Sequence, residues 1–373
     1  MSKRVNGEGT IYQRKDGRWE AAYYAVDGKR RNLLRKTQAE ARRGLTAAIN
    51  ARDQGKSLPT GRETVAEFLH VWLPGMRSKV RYRTWRRYGQ LLDRHILPVI
   101  GPVPLARLSP THVQRALNRM LERGLSSTTV HHAHAVLRRA INDAVETDLV
   151  SRNAAARVKT PPMAYRKMTT LDADQARRFV AAAASDELAA LWVVALTTGM
   201  RIGELLGLRW PDVDLERCLM HVTGTLSRGP DGLEVAPPKT GRSRRTIRLS
   251  RAAVEAVGGH RVKQVANRLR AGSSWEDHDL VFCGPLGRPM SPEWLLRGRF
   301  YPFLERAGLP RIRFHDLRHT AATLWFQQGV NPKVVQETLG HSKVSITLDT
   351  YSHMIPDMQS ETARLMDELI QRG

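Results

Sequence analysis

From Thr64 to Leu149 apolar residues recur at helical spacing, and the segments on either side have a different character. Val65, Phe68, Leu69 and Trp72 share one helical face, and Trp85, Tyr88, Leu91, Leu92 and Ile96 share another. Ser109-Pro110 reads as an N-cap followed by proline at the first helical position, opening a helix that carries Val113, Leu117 and Leu121. Ser127 opens the next, through Val130, Leu137 and Ile141. A helical block with this many apolar faces needs a core of its own. The remaining chain, out of 373 residues with 41% hydrophobic, is long enough to build others.

Residues 7–36 read as short strands. Thr10-Ile11-Tyr12 and Trp19–Val26 are aromatic and apolar, with Asp16-Gly17 and Asp27-Gly28 as hairpin turns. Thr37 is an N-cap whose capping box Glu40 completes. Gly55 to Gly61, with Pro59, reads as a linker, and Asn153 to Pro162 as a second. Beyond it, Leu171-Asp172 starts a helical region through Gly199. Cys218–Leu226 and Leu233–Leu249 alternate like strands about a Gly229–Gly232 turn. Helices return at Ser291–Ala307 and from His315 to Leu339. The expected fold class is multidomain α+β: a small sheet-plus-helix domain at 1–60, an all-α domain at 62–150, and a mixed α/β, mainly helical domain at 165–373. A last helix carries the apolar stripe Leu365, Met366, Leu369 and Ile370. Such a stripe packs on its own domain or docks on a neighbouring copy.

The formal net charge is +24, and it is spread along the chain. Residues 1–61 carry 14 basic against 6 acidic side chains, residues 62–148 carry 14 against 7, and the remainder is also basic. A long polyanion touched by every part of the protein accounts for this, and nucleic acid is the leading candidate. Arg77, Lys79, Arg81, Arg83, Arg86 and Arg87, with Trp85 among them, form either a DNA-backbone surface or a solvated face. Two cysteines, Cys218 and Cys283, exclude a disulfide framework. Met1-Ser2-Lys3-Arg4 leads into polar residues rather than an apolar signal, and stretches such as Leu188–Leu196 are too short to span a bilayer. A soluble, intracellular protein is expected.

The C-terminal half gathers phosphate-compatible groups. Arg201 follows a Thr-Thr-Gly-Met turn, and Lys239 sits in a Pro-Pro-Lys-Thr-Gly loop between two strand-like runs. His315, Arg318 and His319 share one face of a helix start. His341 follows Leu339-Gly340, and Tyr351 follows ten residues later. Each alone is weak; the set is what metal-free cutting of DNA needs. Two arginines clamp the charge that develops on a phosphodiester under attack. A tyrosine holds one strand end covalently, a lysine gives the leaving 5′ oxygen its proton, and histidines move the tyrosine proton or hydrogen-bond the phosphate.

The same stretches resemble the tyrosine recombinase, or phage-type integrase, family. They are Thr198-Gly199-Met200-Arg201-Ile202-Gly203-Glu204-Leu205, Pro238-Lys239-Thr240 with Arg244-Arg245-Thr246-Ile247, His315-Asp316-Leu317-Arg318-His319-Thr320, Leu339-Gly340-His341-Ser342 and Leu348-Asp349-Thr350-Tyr351-Ser352-His353. Five linked motifs in family order span roughly the last 200 residues. The helical block resembles the family's SAM-like core-binding domain, and the first 60 residues resemble its arm-type DNA-binding domain.

The resemblance implies that Arg201 and Arg318 bind the non-bridging oxygens of the scissile phosphate, that Lys239 is the general acid, and that Tyr351 forms a 3′-phosphotyrosyl bond. It implies that His315 assists Tyr351 as a base and contacts the phosphate, and that His341 is the second phosphate hydrogen-bonder. Glu204 either supports Arg201 or is a plain helix salt bridge, and structural roles are expected for His319 and His353. The expected protein is a site-specific DNA recombinase that integrates or excises a mobile element such as a prophage. Core-binding and catalytic domains would clamp double-stranded DNA carrying core and arm-type attachment sites, as a homotetramer passing through a Holliday junction. No cofactor, metal or membrane is expected, the place is a bacterial cytoplasm at the nucleoid, and a DNA-bending host factor and an excisionase are possible helpers. The alternatives are a metal-dependent nuclease using His315, Asp316, His319, His341 and His353, a non-catalytic DNA-binding regulator, and a topoisomerase-like relaxing enzyme.

Overall fold

The computed structural model describes residues 9–25, 28–53, 63–163, 168–237 and 244–351, with 364, 366–368, 370 and 371 near the end. The chain forms two compact units, Met1–Tyr165 and Arg166–Gly373.

The first unit begins with strands β1 (Thr10–Gln13), β2 (Trp19–Tyr24) and β3 (Arg30–Arg35), in an antiparallel sheet of order β1-β2-β3. Gly17 takes φ +79° in the first hairpin, where Arg14 and Arg18 close the turn. Helix α1 (Gln38–Asp53) is capped by Thr37 and Glu40, each accepting from the other's backbone N–H. It lays Ala41, Leu45 and Ala48 on Ala21, Tyr23 and Ala25, a small core whose alanines bring helix and sheet close.

The helical block comprises α2 (Val65–Gly75), α3 (Tyr82–Leu91), α4 (Leu97–Ile100), α5 (Pro110–Glu122) and α6 (Ser127–Glu146). The caps at Thr64, Ser109 and Ser126 hold their helices by side-chain acceptance. Val65, Leu69, Leu117, Leu137 and Ile141 meet in its core. Trp72 Nε1 donates to Asp143 Oδ2 at 2.6 Å, joining α2 to α6. A π-helical turn over Leu92–Ile96 joins α3 to α4, just before Pro98. Proline has no N–H to give the carbonyl of Arg94, which Arg123 Nη1 approaches at 3.5 Å. The six basic residues around Trp85 are all exposed, and Arg77 lies over its ring at 5.8 Å. The stretch expected as a second linker is partly core. Ala154, Ala155 and Val158 are buried, and Asn153 Nδ2 donates to the Arg138 carbonyl at 2.8 Å. The Gly55–Gly61 linker lies outside the described residues.

The second unit is built round α8 (Ala189–Thr198), which is buried on every side over Ala190–Leu196. A helix apolar all round belongs in a protein centre, and this one is the Leu188–Leu196 stretch of the sequence. Trp192 stacks on Phe303 at 5.6 Å, and its Nε1 donates to Asp186 at 2.9 Å. Before it runs α7 (Ala173–Ala183), capped by Asp172, and after it α9 (Ile202–Leu206). Strands β4 (Val213–Asp214), β5 (Leu219–Val222) and β8 (Arg245–Arg248) form one antiparallel sheet, while β6 (Thr225–Arg228) and β7 (Leu233–Ala236) form a separate hairpin. The strand-like run over Cys218–Leu226 contributes to two strands, which break at Thr223-Gly224 and pair with different partners. Helices α10 (Arg251–Ala271), α11 (Pro292–Trp294), α12 (Tyr301–Arg306), α13 (Phe314–Gln327), α14 (Pro332–Leu339) and α15 (Val344–Tyr351) complete the unit. The protein is mixed α/β and mainly helical. Among the described residues no helix is long and apolar enough to cross a membrane. Met366 and Ile370 of the last apolar stripe are exposed, and Leu365 and Leu369 lie outside the described residues.

Candidate active site

Two helix ends meet at the centre of this site. Gly199 ends α8 and Gly340 ends α14, both left-handed at φ +62° and +70°. Glycine is needed at 199 for the left-handed backbone, and a Cβ there would also lie 2.7 Å from Leu339 Cδ2, the end of a side chain that would have to shift.

Arg318, on α13, is 2% exposed and fills the space between those ends. Its Nη1 donates to the Gly199 carbonyl at 2.8 Å and its Nη2 to the Leu339 carbonyl at 2.7 Å. These are the carbonyl ends of two helices, where partial negative charge collects. Burial, then the charges of Arg201 and Arg245, pull the Arg318 guanidinium down to about 9, so it stays charged at neutral pH.

Arg201 caps α9. Its Nη1 donates to Glu204 Oε1 at 2.7 Å and its backbone N–H to Oε2 at 3.0 Å. The other carboxylate partner comes from β8: Arg245 Nη2 donates to Glu204 Oε2 at 2.9 Å, and its Nε to the Thr338 carbonyl at 2.6 Å. Burial alone would raise the Glu204 pKa, but the bond and charge of Arg245, followed by Arg201, hold it at about 2. Glu204 is therefore more than a helix salt bridge, since it ties α9 to β8. One carboxylate serves two guanidiniums, and among those three groups the charge remains positive.

The histidines face the same place. Burial, then His319, Arg318 and Arg201, lowers His315 to about 4. Burial, then Arg318, Arg201, His319 and Arg245, lowers His341 to about 4. Both rings are neutral at ordinary pH and meet the field of the same arginines. His341 Nδ1 lies 2.8 Å from the hydroxyl of Thr347, which is fully buried on α15. Four residues on, Tyr351 is also fully buried, against Phe326 and beside His319. His319 Nδ1 lies 2.6 Å from the Tyr351 hydroxyl. Burial pushes the phenol up to about 12, opposed by the charge of Arg318. His315 meets the edge of the His319 ring at 5.0 Å. Beside the site a cavity of about 490 Å³ is lined by Arg244, Arg245, Lys333, His341 and Lys343 among others.

The fold thus brings Arg201, His315, Arg318, His341 and Tyr351 into one neighbourhood. Lys239 and His353 lie outside the described residues. Sequence reasoning left Arg245 and Thr347 without roles and gave His319 only a structural one. Strand alternation could have found Arg245, which shares a face of β8 with buried Ile247. Asp316, a ligand in the nuclease alternative, is engaged by Arg313 through both oxygens and caps α13. Among the described residues no three His, Cys, Asp or Glu side chains gather as a metal site would.

The sequence profile of the phage integrase family matches residues 169–357, just over half of the chain. The chain belongs to the phage integrase family. The family's N-terminal SAM-like domain matches residues 64–121, the start of the helical block. An integrase from Saccharopolyspora erythraea is 26% identical over 97% of this chain and 96% of its own length. Among solved structures, the Tn1549 transposon integrase in complex with transposon right end DNA matches with a TM-score of 0.68 at 24% identity, over 81% of this chain and 99% of that one. A lambda integrase tetramer bound to a Holliday junction matches with 0.56 at 18% identity, over 95% and 97%. Both solved structures share the fold of this chain.

Proposed function

We propose that this integrase cuts and rejoins DNA through a covalent bond between Tyr351 and a 3′ phosphate. It is a site-specific recombinase of the tyrosine type, and its partner is DNA. The observation that carries the mechanism is the placing of the Tyr351 hydroxyl, on an imidazole, within the field of Arg318, whose charge no carboxylate bonds directly in the described contacts. Arg201 and Arg318 clamp the non-bridging oxygens, and the extra negative charge of the pentavalent phosphorus strengthens both contacts in the transition state. His341, oriented by Thr347, hydrogen-bonds the phosphate. His315 contacts the phosphate too, and its aid to Tyr351 runs through His319, which occupies the hydroxyl. Lys239, which lies between β7 and β8 in the sequence, protonates the leaving 5′ oxygen. The phosphotyrosyl bond keeps the energy for rejoining.

In the same reading residues 1–60 bind arm-type sites, residues 62–150 bind the core site with the exposed row Arg77–Arg87, and residues 165–373 catalyse. Strand exchange needs two duplexes cut twice each, which supports four protomers on DNA and a Holliday junction between rounds. The tetrameric lambda integrase is the fold-level parallel. A bending protein and an excisionase are helpers consistent with an arm-type domain, and the cytoplasmic nucleoid of a bacterium is the place of action.

Covalent trapping tests this. Protein and its Tyr351→Phe variant are incubated, with EDTA, with nicked duplexes drawn from the DNA flanking the gene. A protease-sensitive adduct at the 3′ end with the unsubstituted protein alone is expected. Cleavage without an adduct, or only with added metal, would refute it.

A further inference from the structure

We propose that His319 is a catalytic residue of this recombinase, the base that takes the Tyr351 proton during cleavage and returns it during rejoining. The proposal rests on the reading of Tyr351 as nucleophile and assigns the proton to His319, which the sequence left with a structural role, in place of His315, to which the family resemblance gave the part of base.

The geometry is direct. Nδ1 of His319 lies 2.6 Å from the atom that would attack phosphorus. The two rings are 5.7 Å apart and tilted by 51°, an arrangement set by the hydroxyl rather than by stacking. Tyr351 is buried among Ala322, Phe326, Val335 and Leu339, so bulk water has no ready access to its hydroxyl. A proton leaving that oxygen needs an acceptor inside the protein, and His319 is the hydrogen-bond partner in place. Arg318 and His319 are neighbours on α13, so the residue that would clamp the phosphate and the residue that would receive the proton move as one body.

The surroundings allow the transfer. His319 is faced by His315, Arg318 and Asp316 on its own helix, by Arg313 at the helix start, by Tyr351 on α15 and by His341 after α14. Burial holds the His319 pKa below the ordinary range, with Asp316 opposing and Arg313 and Arg318 adding to the fall. The ring is neutral at neutral pH, and in the tautomer with its proton on Nε2 it accepts from the phenol through Nδ1. As the Tyr351 oxygen bonds to phosphorus, its proton passes to Nδ1 and the P–O5′ bond breaks. The 5′ oxygen departs with a proton from Lys239. Rejoining runs the same steps backwards: the 5′ hydroxyl attacks, the P–O bond to tyrosine breaks, and Nδ1 gives its proton back.

The test is the single-turnover rate of adduct formation against pH, on nicked duplexes from the flanking DNA whose scissile phosphate carries a 5′-bridging sulfur. Sulfur leaves without a proton, so Lys239 drops out and the remaining pH dependence reports the base. The unsubstituted protein should lose rate as pH falls below the ordinary imidazole range, where His319 becomes protonated. His319→Asn keeps an acceptor near the hydroxyl but carries no proton. It should form adduct more slowly by about 10²-fold or more, with that acid limb gone and with DNA affinity unchanged. His319→Ala should be slow and partly restored by added imidazole, whereas His315→Asn should retain the limb. A His319→Asn protein with an unchanged limb, whether slowed or not, would overturn the proposal, as would faster adduct formation by His319→Ala, which would mean that the histidine only stows the tyrosine. Absence of an acid limb in the unsubstituted protein also overturns it, and that result needs no variant to fold. An adduct from Tyr351→Phe would instead overturn the nucleophile itself, and the base with it.

Discussion

Replacing Glu204 by glutamine leaves the shape of the side chain and removes the charge that holds Arg201 and Arg245. The carboxylate sits at about 2 in the folded protein against an ordinary 4.5. That difference corresponds to about 3 kcal/mol favouring the ionised, folded form. Glu204 and Arg245 side chains are 7% and 6% exposed, so solvent screens their contact little, while Arg201 at 40% contributes a weaker share. Glu204→Gln should therefore lower stability at pH 7 by about 3 kcal/mol, which agrees with the roughly 3–5 kcal/mol typical of breaking a buried pair. In a unit of this size that is a fall in Tm of roughly 6–12 °C.

The folded-state pKa is depressed, so the contribution is whole above about pH 4.5 and disappears as pH falls towards 2. By pH 3 about 2 kcal/mol of it should be gone, and the glutamine variant has no such carboxylate to protonate. Urea unfolding of the two full-length proteins at pH 7 and pH 3, followed by tryptophan fluorescence, measures the gap directly. The gap should narrow with acid. A gap under about 1 kcal/mol at pH 7, or one that does not change between the two pH values, would refute the reasoning.

Other substitutions follow the same geometry. Thr347→Val, nearly isosteric at a fully buried position, removes the hydroxyl that orients His341; cleavage should slow by roughly 10-fold, Thr347→Ser should restore it, and single-turnover adduct formation reads both. Gly199→Ala should destabilise by roughly 1–3 kcal/mol in thermal unfolding, because its φ is +62° and its Cβ would meet Leu339, and should weaken cleavage by moving a carbonyl that Arg318 uses. Trp72→Phe leaves Asp143 without its indole partner and should lower the urea midpoint of the first unit by an amount equivalent to roughly 1–3 kcal/mol, with little effect on the second.

Local chemistry made much of this fold legible. Caps at Thr37, Thr64, Ser109 and Asp172 announce helices because the side chain that ends each one lies beside it in sequence. The motif residues around Arg201, His315, Arg318, His341 and Tyr351 carried the candidate site in the same way. What stayed hidden depends on contacts between distant segments. Arg245 gains its role only when β8 brings it to Glu204, 41 positions away, and to the carbonyl of Thr338, 93 positions away. Ala154, Ala155 and Val158 read as linker because small residues near prolines give no periodic signal, and only the groove beside α6 makes them core. His315 and His319 sit one turn apart on one face, so spacing could not say which ring would meet Tyr351; the placing of α15 decides it.

Arg318 shows where this site spends stability on function. A guanidinium drawn from 12.5 to about 9 by burial and by two like charges destabilises the folded protein at neutral pH on the order of 5 kcal/mol. Its two hydrogen bonds offset part of that, since leaving the Gly199 and Leu339 carbonyls unpaired would cost about 1–3 kcal/mol each. The two quantities are of similar size, so Arg318→Met should change the stability of the free protein by less than about 2 kcal/mol, in either direction, while abolishing adduct formation. In the proposed mechanism a scissile phosphate alters the balance, because its negative charge would meet a guanidinium already desolvated. The unsubstituted protein should therefore be stabilised by duplex DNA carrying the site much more than Arg318→Met is, as read by the rise in Tm on adding that DNA. A loss of 3 kcal/mol or more in the free Arg318→Met protein, with equal stabilisation of both by DNA, would place this arginine among the residues that hold the fold together rather than those that hold the phosphate.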